Sequence, residues 1–217
     1  MKIFSHRGFH QDVPENTLEA FEAAIALGVD GIETDIRVSA DGIAVLHHDP
    51  ILANGNEIKT LTFAQIQAQS SYAIPRLEEA LELNTPTEFC WNLELKNKES
   101  FLITERISRE QSISDTILFT SFWHDGIVEM IQRSPNIPRS QFGLLWGIHP
   151  YGFQQPQWFE HYPQITTLVF YQERLSAELI QHCHQKSLSV GAFGDRTPEH
   201  QAQLSAWGTD ILITDYP

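Results

Sequence analysis

The 217-residue sequence predicts an α/β fold, a single-domain (β/α)8 TIM barrel spanning residues 1–217. Eight short apolar segments have the composition of buried strands, and they alternate mostly with segments whose apolar residues have helical spacing. No internal repeat and no change of composition marks a second domain. The length lies near the lower end for this barrel but is enough to bury a large core.

The predicted elements follow one another along the whole chain. The eight strands are expected at residues 3–5, 31–37, 89–96, 116–122, 142–146, 167–171, 188–193 and 210–214. Helices after the first are expected at 62–68, 77–81, 100–110, 126–133, 177–185 and 198–206. The aromatic loop at 149–162 is interpreted as a small satellite core rather than a cap over a substrate.

The first helix follows the run Pro-Glu-Asn-Thr at 14–17. Asn16 and Glu19, three residues apart, have the spacing of a capping box, in which two side chains satisfy the free N–H groups of a helix start. Apolar residues then recur at helical spacing, and Gly28 is a typical stop. We therefore predict Asn16 as the N-cap.

The strand at 31–37 carries two carboxylates within the apolar run Gly-Ile-Glu-Thr-Asp-Ile-Arg. Because side chains alternate along a strand, Glu33 and Asp35 point to the same face, about 7 Å apart along the strand. Two buried carboxylates repel each other and resist desolvation, so they need a cation. A surface hairpin with solvated charges is the alternative, and the apolar run argues against it.

A hairpin is predicted to extend this strand, because Asp41-Gly42 separates it from a second apolar run that ends near His48. With a two-residue loop, His48 lies opposite Asp35; with a four-residue loop, it lies opposite Glu33. Cross-strand partners share a face. Both registers therefore place an imidazole beside a carboxylate.

Glu94 lies on the next predicted barrel strand and completes a set of three oxygen ligands with Glu33 and Asp35. In a barrel the chemistry is located at the carboxyl ends of the strands, where these residues fall. Three carboxylates suit one divalent cation, Mg²⁺ or Ca²⁺, better than zinc. The alternative is an ordinary ion pair between Glu94 and Lys96.

Two cations and two histidines are expected at the same ends of the strands. Arg7 and Lys96 are candidates for binding a phosphate, Arg through a planar fork and Lys as a point charge. His6 and His48 are the candidate acid and base, because imidazole titrates near neutral pH. The sequence leaves their individual roles open, with His48 as our working assignment for the proton donor.

Composition excludes several classes of partner. The chain has 14 Lys and Arg against 28 Asp and Glu, a formal charge of −14, which disfavours nucleic acid or an anionic membrane as partner. Its two cysteines, Cys90 and Cys183, form no C-x-x-C motif, so a disulfide framework or a thiolate zinc site is not expected.

The chain enters a strand at once and has no apolar run of transmembrane length, so a cytoplasmic protein without stable membrane association is expected. Its oligomeric state is not predictable.

With these residues placed, the chain resembles the glycerophosphodiester phosphodiesterase family. The matching segments occur in the family's order: His6-Arg7-Gly8, Pro14-Glu15-Asn16-Thr17, Glu33-x-Asp35, Asp41-Gly42, His48-Asp49, Leu77-Glu78-Glu79, Glu94-Leu95-Lys96, Ser121-Phe122 and Thr214-Asp215-x-Pro217. They span nearly the whole chain. Each segment is unspecific alone, but the ordered set is highly specific.

The resemblance implies a (β/α)8 barrel that uses a divalent cation to hydrolyse glycerophosphodiesters to an alcohol and glycerol 3-phosphate. Carried over by position, it implies metal ligands at Glu33, Asp35 and Glu94. It also implies catalytic imidazoles at His6 and His48, and phosphate binding by Arg7 and Lys96. The attacking group, water or the substrate's own glycerol hydroxyl, remains open, as does the alcohol.

Two departures from the family pattern affect the expected pocket. Where the family usually has a Trp-Thr-Val-Asn run, this chain has Gly-Ala-Phe-Gly at 191–194, which removes a ring expected to pack against substrate. The segment 50–76 is shorter than the family's usual insertion, so a more open pocket is expected.

Two alternatives to the activity that the resemblance implies stay open. One is a lysophospholipase D or phosphoinositide-type phospholipase on the same barrel, and the other is an inactive barrel that binds phosphodiesters.

Overall fold

The structure is a computed structural model, and it describes residues 1–110, 117–134, 142–147, 161–194 and 197–217, with the side chains of 108 and 109 excepted. Nine strands in these ranges form one sheet. They are β1 (Lys2–His6), β2 (Gly31–Val38), β3 (Ala44–Leu46), β4 (Cys90–Leu95), β5 (Ile117–Ser121), β6 (Phe142–Trp146), β7 (Ile165–Tyr171), β8 (Ser189–Phe193) and β9 (Ile211–Thr214).

Eight of these strands close into a parallel barrel in the order β1-β2-β4-β5-β6-β7-β8-β9, with β9 pairing back to β1. The ninth strand, β3, lies outside the barrel and pairs antiparallel with β2. The predicted (β/α)8 barrel with a hairpin extension of its second strand is therefore confirmed.

Seven α-helices are described in the connections between strands. They are α1 (Leu18–Leu27), α2 (Phe63–Gln69), α3 (Leu77–Leu81), α4 (Lys98–Glu110), α5 (His124–Arg133), α6 (Ala177–Gln185) and α7 (Pro198–Ala206), together with 3-10 turns at Ile58–Thr60 and Gln172–Arg174. All the predicted helices are present, with ends that differ by at most two residues. Most of the predicted aromatic loop, residues 149–160, lies outside the described residues.

The start of α1 differs from the prediction. Thr17, not Asn16, is the N-cap, and its Oγ1 accepts a hydrogen bond from the N–H of Ala20 at 3.3 Å. Asn16 has a positive φ of 56°, which asparagine tolerates better than most residues, and its side chain is used elsewhere. Gly28 ends the helix in the left-handed conformation, as predicted.

The hairpin has a register that the sequence did not predict. Ile36 pairs with Leu46 and Val38 pairs with Ala44, so the loop contains three residues, 40–42, with Gly42 at a φ of +77°. A three-residue loop closed by a left-handed glycine is a common hairpin connection. The predicted pairing of His48 with Asp35 or Glu33 is therefore wrong, because β3 ends at Leu46 and His48 follows it outside the ladder.

Apolar side chains form three separate cores. The largest lies between the barrel and its helices, and a small one under the segment after the hairpin contains Val45, Leu52, Ile58, Ile66 and Ile74. The third fills the inside of the barrel and contains Phe4, Leu145, Val169 and Ile213. No helix in the described ranges is both long and apolar enough to cross a membrane.

Candidate active site

Three buried carboxylates meet at the carboxyl ends of β2 and β4. Strand register places Asp35 beside Glu94, while alternation puts Glu33 on the same face as Asp35. Each of the three offers one oxygen within 4.8 Å of the others, and all three residues are at most 9% exposed. The structure thus brings together the three predicted metal ligands.

Glu33 has an unusual environment for a carboxylate. Both of its oxygens are buried, and neither accepts a hydrogen bond from any residue that the structure describes. Burial and the nearby charge of Asp35 raise the pKa of Glu33 to about 8. A buried carboxylate that accepts no hydrogen bond is strongly disfavoured, so this position calls for a cation or a proton.

Asp35, by contrast, is surrounded by donors. Burial opposes its ionisation, but the charges of Lys96 and Arg7 outweigh that effect and lower its pKa. The Nζ of Lys96 lies 2.8 Å from Oδ1 of Asp35, and the amide of Asn16 donates to Oδ2 at 2.9 Å. Asp35 therefore remains ionised at neutral pH.

Lys96 directly follows β4 and contacts two of the three carboxylates. Its Nζ is 2.5 Å from Oε1 of Glu94 in addition to its contact with Asp35. Burial lowers the pKa of Lys96, but these carboxylates raise it by more, so the ammonium stays charged. Burial likewise raises the pKa of Glu94, against the opposing charge of Lys96. The ion pair between Glu94 and Lys96, which the sequence offered as the alternative to a metal ligand, is present, and Glu94 still lies within the acidic cluster.

Arg7 reaches the cluster from the loop after β1. Its Nη1 donates to both oxygens of Glu15, at 2.8 and 3.0 Å, and its Nε lies 3.2 Å from Oδ2 of Asp35. Arg7 itself has a positive φ of 57°, and Gly8 follows it because a Cβ there would lie 2.7 Å from the backbone of Ala20. The sharp turn at His-Arg-Gly thus aims the guanidinium at the carboxylates while letting α1 pack closely.

His6, the last residue of β1, lies beside the acidic cluster. Register pairs it with Glu33, and its Nε2 is 3.8 Å from Oε2 of that residue. The other ring nitrogen, Nδ1, is 2.6 Å from Oδ1 of Asp215. Burial lowers the pKa of His6, but the Asp215 hydrogen bond and the charge of Glu33 outweigh it, so the pKa is raised overall.

His48 follows the hairpin, and the charges of Asp35, Lys96 and Arg7 act on its ring. Its Nδ1 is 2.9 Å from Oδ1 of Asp49, and its pKa is lowered, chiefly by burial and despite the charge of Asp35. Its backbone is fixed by Arg37, whose Nε and Nη2 both donate to the His48 carbonyl at 2.9 and 2.5 Å. His47 contacts the Asp49 carbonyl through its own ring and had no predicted role.

Several supporting residues were not predicted from the sequence. Asn16 is almost fully buried; its carbonyl oxygen accepts from the hydroxyl of Thr34 at 2.6 Å while its amide donates to Asp35. Together with Glu15 on Arg7, it shows that the Pro-Glu-Asn-Thr motif supports the charged residues of the site. The motif was recognised, but its contacts are with β2 and with the loop after β1, which local helix rules do not reveal.

Gly191 replaces the ring that the family usually has on this strand, but another aromatic side chain lies close to it on β8. A Cβ at Gly191 would lie 3.0 Å from Val169 inside the barrel, so the position is closely packed. Phe193 occupies the same face of β8 two residues nearer its carboxyl end. Its ring packs edge-on against Phe122 at 6.0 Å and at a tilt against Tyr171 at 5.6 Å, measured between centroids. An aromatic group therefore does occupy this side of the barrel mouth.

The acidic cluster fits a divalent cation. The observation that decides this is the pair of buried Glu33 oxygens without hydrogen bonds, facing two further carboxylates within coordination reach. Counting these three carboxylates with Arg7 and Lys96, the centre carries one net negative charge when Glu33 is ionised. A dication would reverse that sign and allow Glu33 to lose its proton.

Comparison with known proteins agrees with this geometry. Residues 6–217 match the glycerophosphoryl diester phosphodiesterase family. A glycerophosphodiester phosphodiesterase from Bacillus altitudinis is 36% identical over 244 residues, covering 100% of this chain and 95% of the relative. One from Caldanaerobacter subterraneus is 28% identical and covers 99% and 94%.

Solved structures show the same architecture. The glycerophosphodiester phosphodiesterase from Thermotoga maritima superposes with a TM-score of 0.84 at 26% identity, covering 98% of this chain and 93% of that one. An Oleispira antarctica phosphodiesterase, solved in complex with the product sn-glycerol-3-phosphate, has a TM-score of 0.86 at 25% identity and covers 100% and 94%. This chain belongs to the glycerophosphoryl diester phosphodiesterase family.

Proposed function

We propose that this protein hydrolyses a glycerophosphodiester to an alcohol and glycerol 3-phosphate, using one divalent cation and two histidines. The observation that carries the proposal is the convergence, on one end of the barrel, of three buried carboxylates, two cations and the His6 imidazole, with His48 near enough for the charges of Asp35, Lys96 and Arg7 to act on it. Membership of the family supports the substrate class, and so does the product bound to the Oleispira antarctica relative. The whole chain, residues 1–217, is proposed to form the one catalytic domain.

Glu33, Asp35 and Glu94 would hold the cation, either Mg²⁺ or Ca²⁺. When bound, the ion polarises the phosphoryl oxygens and offsets the charge that develops on them. The three ligands are hard oxygens, as both ions require. With Glu33 ionised and the ion bound, the centre has one net positive charge, which suits the single negative charge of a phosphodiester.

Arg7 and Lys96 would bind the remaining phosphate oxygens. Both side chains are mostly buried beside the carboxylates, so their charges act with little screening by water. Arg7 is held in place by Glu15, and Lys96 by Asp35 and Glu94. Fixed donors of this kind stabilise charge on a phosphoryl group without reorganising during the reaction.

His6 and His48 would transfer the protons. The raised pKa of His6 favours the protonated ring, and the lowered pKa of His48 favours the neutral ring at neutral pH. We therefore assign proton donation to the leaving alcohol to His6 and acceptance of the nucleophile's proton to His48. This is the reverse of the assignment made from the sequence, which had no information on the two environments.

The metal requirement can be tested by chelation and by Glu94→Gln. Glycerophosphocholine, glycerophosphoethanolamine, glycerophosphoglycerol and lysolipids would be assayed with Mg²⁺ and with Ca²⁺ after removal of bound ions. Chelation should abolish turnover and one of the two ions should restore it, while Glu94→Gln should reduce turnover on the order of 10²-fold or more by weakening ion binding. Detection of a cyclic phosphate would identify the glycerol hydroxyl as nucleophile.

Glu79→Gln is the matched control, because Glu79 is a carboxylate paired with Arg76 on the outside of the barrel. It should leave turnover and its metal dependence unchanged. Full activity of metal-stripped protein would contradict the proposed role of the cation. Hydrolysis of lysolipids alone would move the substrate class to the lysophospholipase D alternative.

A further inference from the structure

The last strand of the barrel delivers a carboxylate to His6. Strands β9 and β1 are neighbours, and Thr214 pairs with Ser5, so the residues that follow each strand lie side by side. Oδ1 of Asp215 is 2.6 Å from Nδ1 of His6. The two residues are 209 positions apart in the sequence and meet only because the barrel closes.

This contact determines which ring nitrogen of His6 carries hydrogen. The hydrogen bond from His6 lowers the pKa of Asp215, against partial burial, so Asp215 is ionised at neutral pH. An ionised carboxylate can only accept, so Nδ1 of His6 must donate. In the neutral ring the hydrogen is then on Nδ1, and Nε2 carries none. Nε2 is the nitrogen that lies 3.8 Å from Oε2 of Glu33.

Asp215 is itself held from both sides. His10 places its Nε2 3.3 Å from the same Oδ1, and Gln11 donates to the Asp215 carbonyl at 3.2 Å. On the other side, the N–H of Tyr216 donates to Oγ1 of Thr214 at 3.0 Å, and Gln201 donates to the Tyr216 carbonyl at 3.2 Å. His10 thus contacts the carboxylate itself, the other bonds hold the backbone around Asp215, and His6 is oriented by the carboxylate.

We propose that Asp215 is a positioning residue for the reaction: it fixes the tautomer and the ring orientation of His6, so that Nε2 faces the phosphate site. The proposal rests on the proposed function and adds a residue to it. The proton moves through Nε2 of His6, while Nδ1 keeps its hydrogen throughout. Asp215 makes no hydrogen bond or ion pair with Glu33, Asp35 or Glu94, so it acts through the imidazole.

The test compares Asp215→Asn with Asp210→Asn. Asp210 also pairs with a histidine, with its Oδ2 2.8 Å from Nε2 of His184, but this pair lies at the opposite end of the barrel, before β9. Both substitutions replace a partly exposed carboxylate by an amide, which can donate as well as accept. They therefore change the same chemistry, once beside His6 and once away from it.

Two readouts separate positioning from a merely structural role. The first is the tautomer of His6, read from the ¹⁵N shifts of its ring above its titration range, in protein without substrate. Asp215→Asn should move the neutral ring from the Nδ1–H form towards the Nε2–H form. The second is turnover, where kcat should fall about 10- to 100-fold with KM little changed. Asp210→Asn should change neither the His6 tautomer nor kcat.

An unchanged His6 tautomer or an unchanged kcat in Asp215→Asn would overturn the proposal, and so would an equal loss of kcat in both variants. If Asp215→Asn does not fold, Asp215→Ser, whose hydroxyl can also donate, replaces it with the same readouts. Because the tautomer is measured without substrate, it tests Asp215 independently of turnover. A wild-type protein without glycerophosphodiesterase activity would contradict the proposed function, while the ¹⁵N shifts would still decide whether Asp215 orients His6.

Discussion

Glu33 and Asp35 are the same kind of group on the same face of one strand, yet their pKa values move in opposite directions. Burial disfavours the charge of both. Lys96 and Asn16 compensate Asp35 directly, whereas Glu33 lacks such donors and is repelled by Asp35. Sequence spacing predicts that the two side chains share a face. It does not predict which is compensated, because the compensating groups come from other elements.

A substrate with a better leaving group should restore the rates of the His6→Ala and His48→Ala variants to different extents. If His6 donates the proton to the leaving alcohol, His6→Ala should lose about 10²- to 10⁴-fold in rate on a natural diester. Replacing the alcohol with p-nitrophenol removes the need for that proton, so His6→Ala should recover most of its rate. His48→Ala, which lacks the proton acceptor, should recover much less. The measurement is kcat/KM of each variant on the two substrates.

His47→Ala is the control for this comparison, since its ring contacts the Asp49 carbonyl. It should behave like the wild type on both substrates. Preferential recovery of His48→Ala would restore the assignment made from the sequence. Equal recovery of both variants would remove the division of roles between the two rings.

At the scale of single elements, most of the secondary structure was predictable and the hairpin register was not. Strand β2 and the position of its turn follow from an alternating apolar run and from Asp41-Gly42. An Asp-Gly pair, however, fits loops of two, three or four residues, and a shift of one residue exchanges the faces of the second strand. The structure has the three-residue loop, and His48 reaches the site by leaving the ladder.

Because His48 lies outside the ladder, Arg37 should be important for its position. Both donors of the Arg37 fork bind the His48 carbonyl. Arg37→Lys keeps the charge but not the fork, so we expect kcat to fall on the order of 10-fold while KM changes little. Steady-state kinetics on a glycerophosphodiester would measure this.

Arg76→Lys is a suitable comparison, because Arg76 is a more exposed arginine paired with Glu79. Its substitution should leave kcat unchanged, as expected for a surface ion pair. Equal kcat values for the two lysine variants would show that the Arg37 fork does not position His48.

For the whole molecule, closure of the barrel is what assembles the site. The alternation of strands and helices predicted the fold, and the fold predicted that polar residues at strand ends would meet. All seven predicted site residues are at this end of the barrel, with His6, Glu33 and Asp35 from β1 and β2 and the others from β4 and the loops. The support from Asp215 was not predicted, since it depends on the contact between the first and last strands.

The stability of the whole molecule should reveal the proton on Glu33. Its carboxyl has a pKa of about 8 when folded, against an ordinary value of 4.5. Between pH 4.5 and about pH 8, the unfolded chain has lost this proton while the folded protein keeps it. The free energy of unfolding of metal-free protein should therefore fall as pH rises through this window, by at most about 1.4 kcal/mol per pH unit from this group. Above about pH 8 both states are ionised and this contribution stops changing.

Urea denaturation at a series of pH values, with wild type and Glu33→Gln side by side, would measure the effect. Glu33→Gln cannot ionise, so its stability should fall less steeply over the same window, whatever its absolute stability. Adding Mg²⁺ or Ca²⁺ should stabilise the wild type more at pH 8 than at pH 6, because the ion must displace the Glu33 proton at the lower pH. Parallel stability curves for the two proteins would mean that Glu33 is already ionised in the metal-free fold.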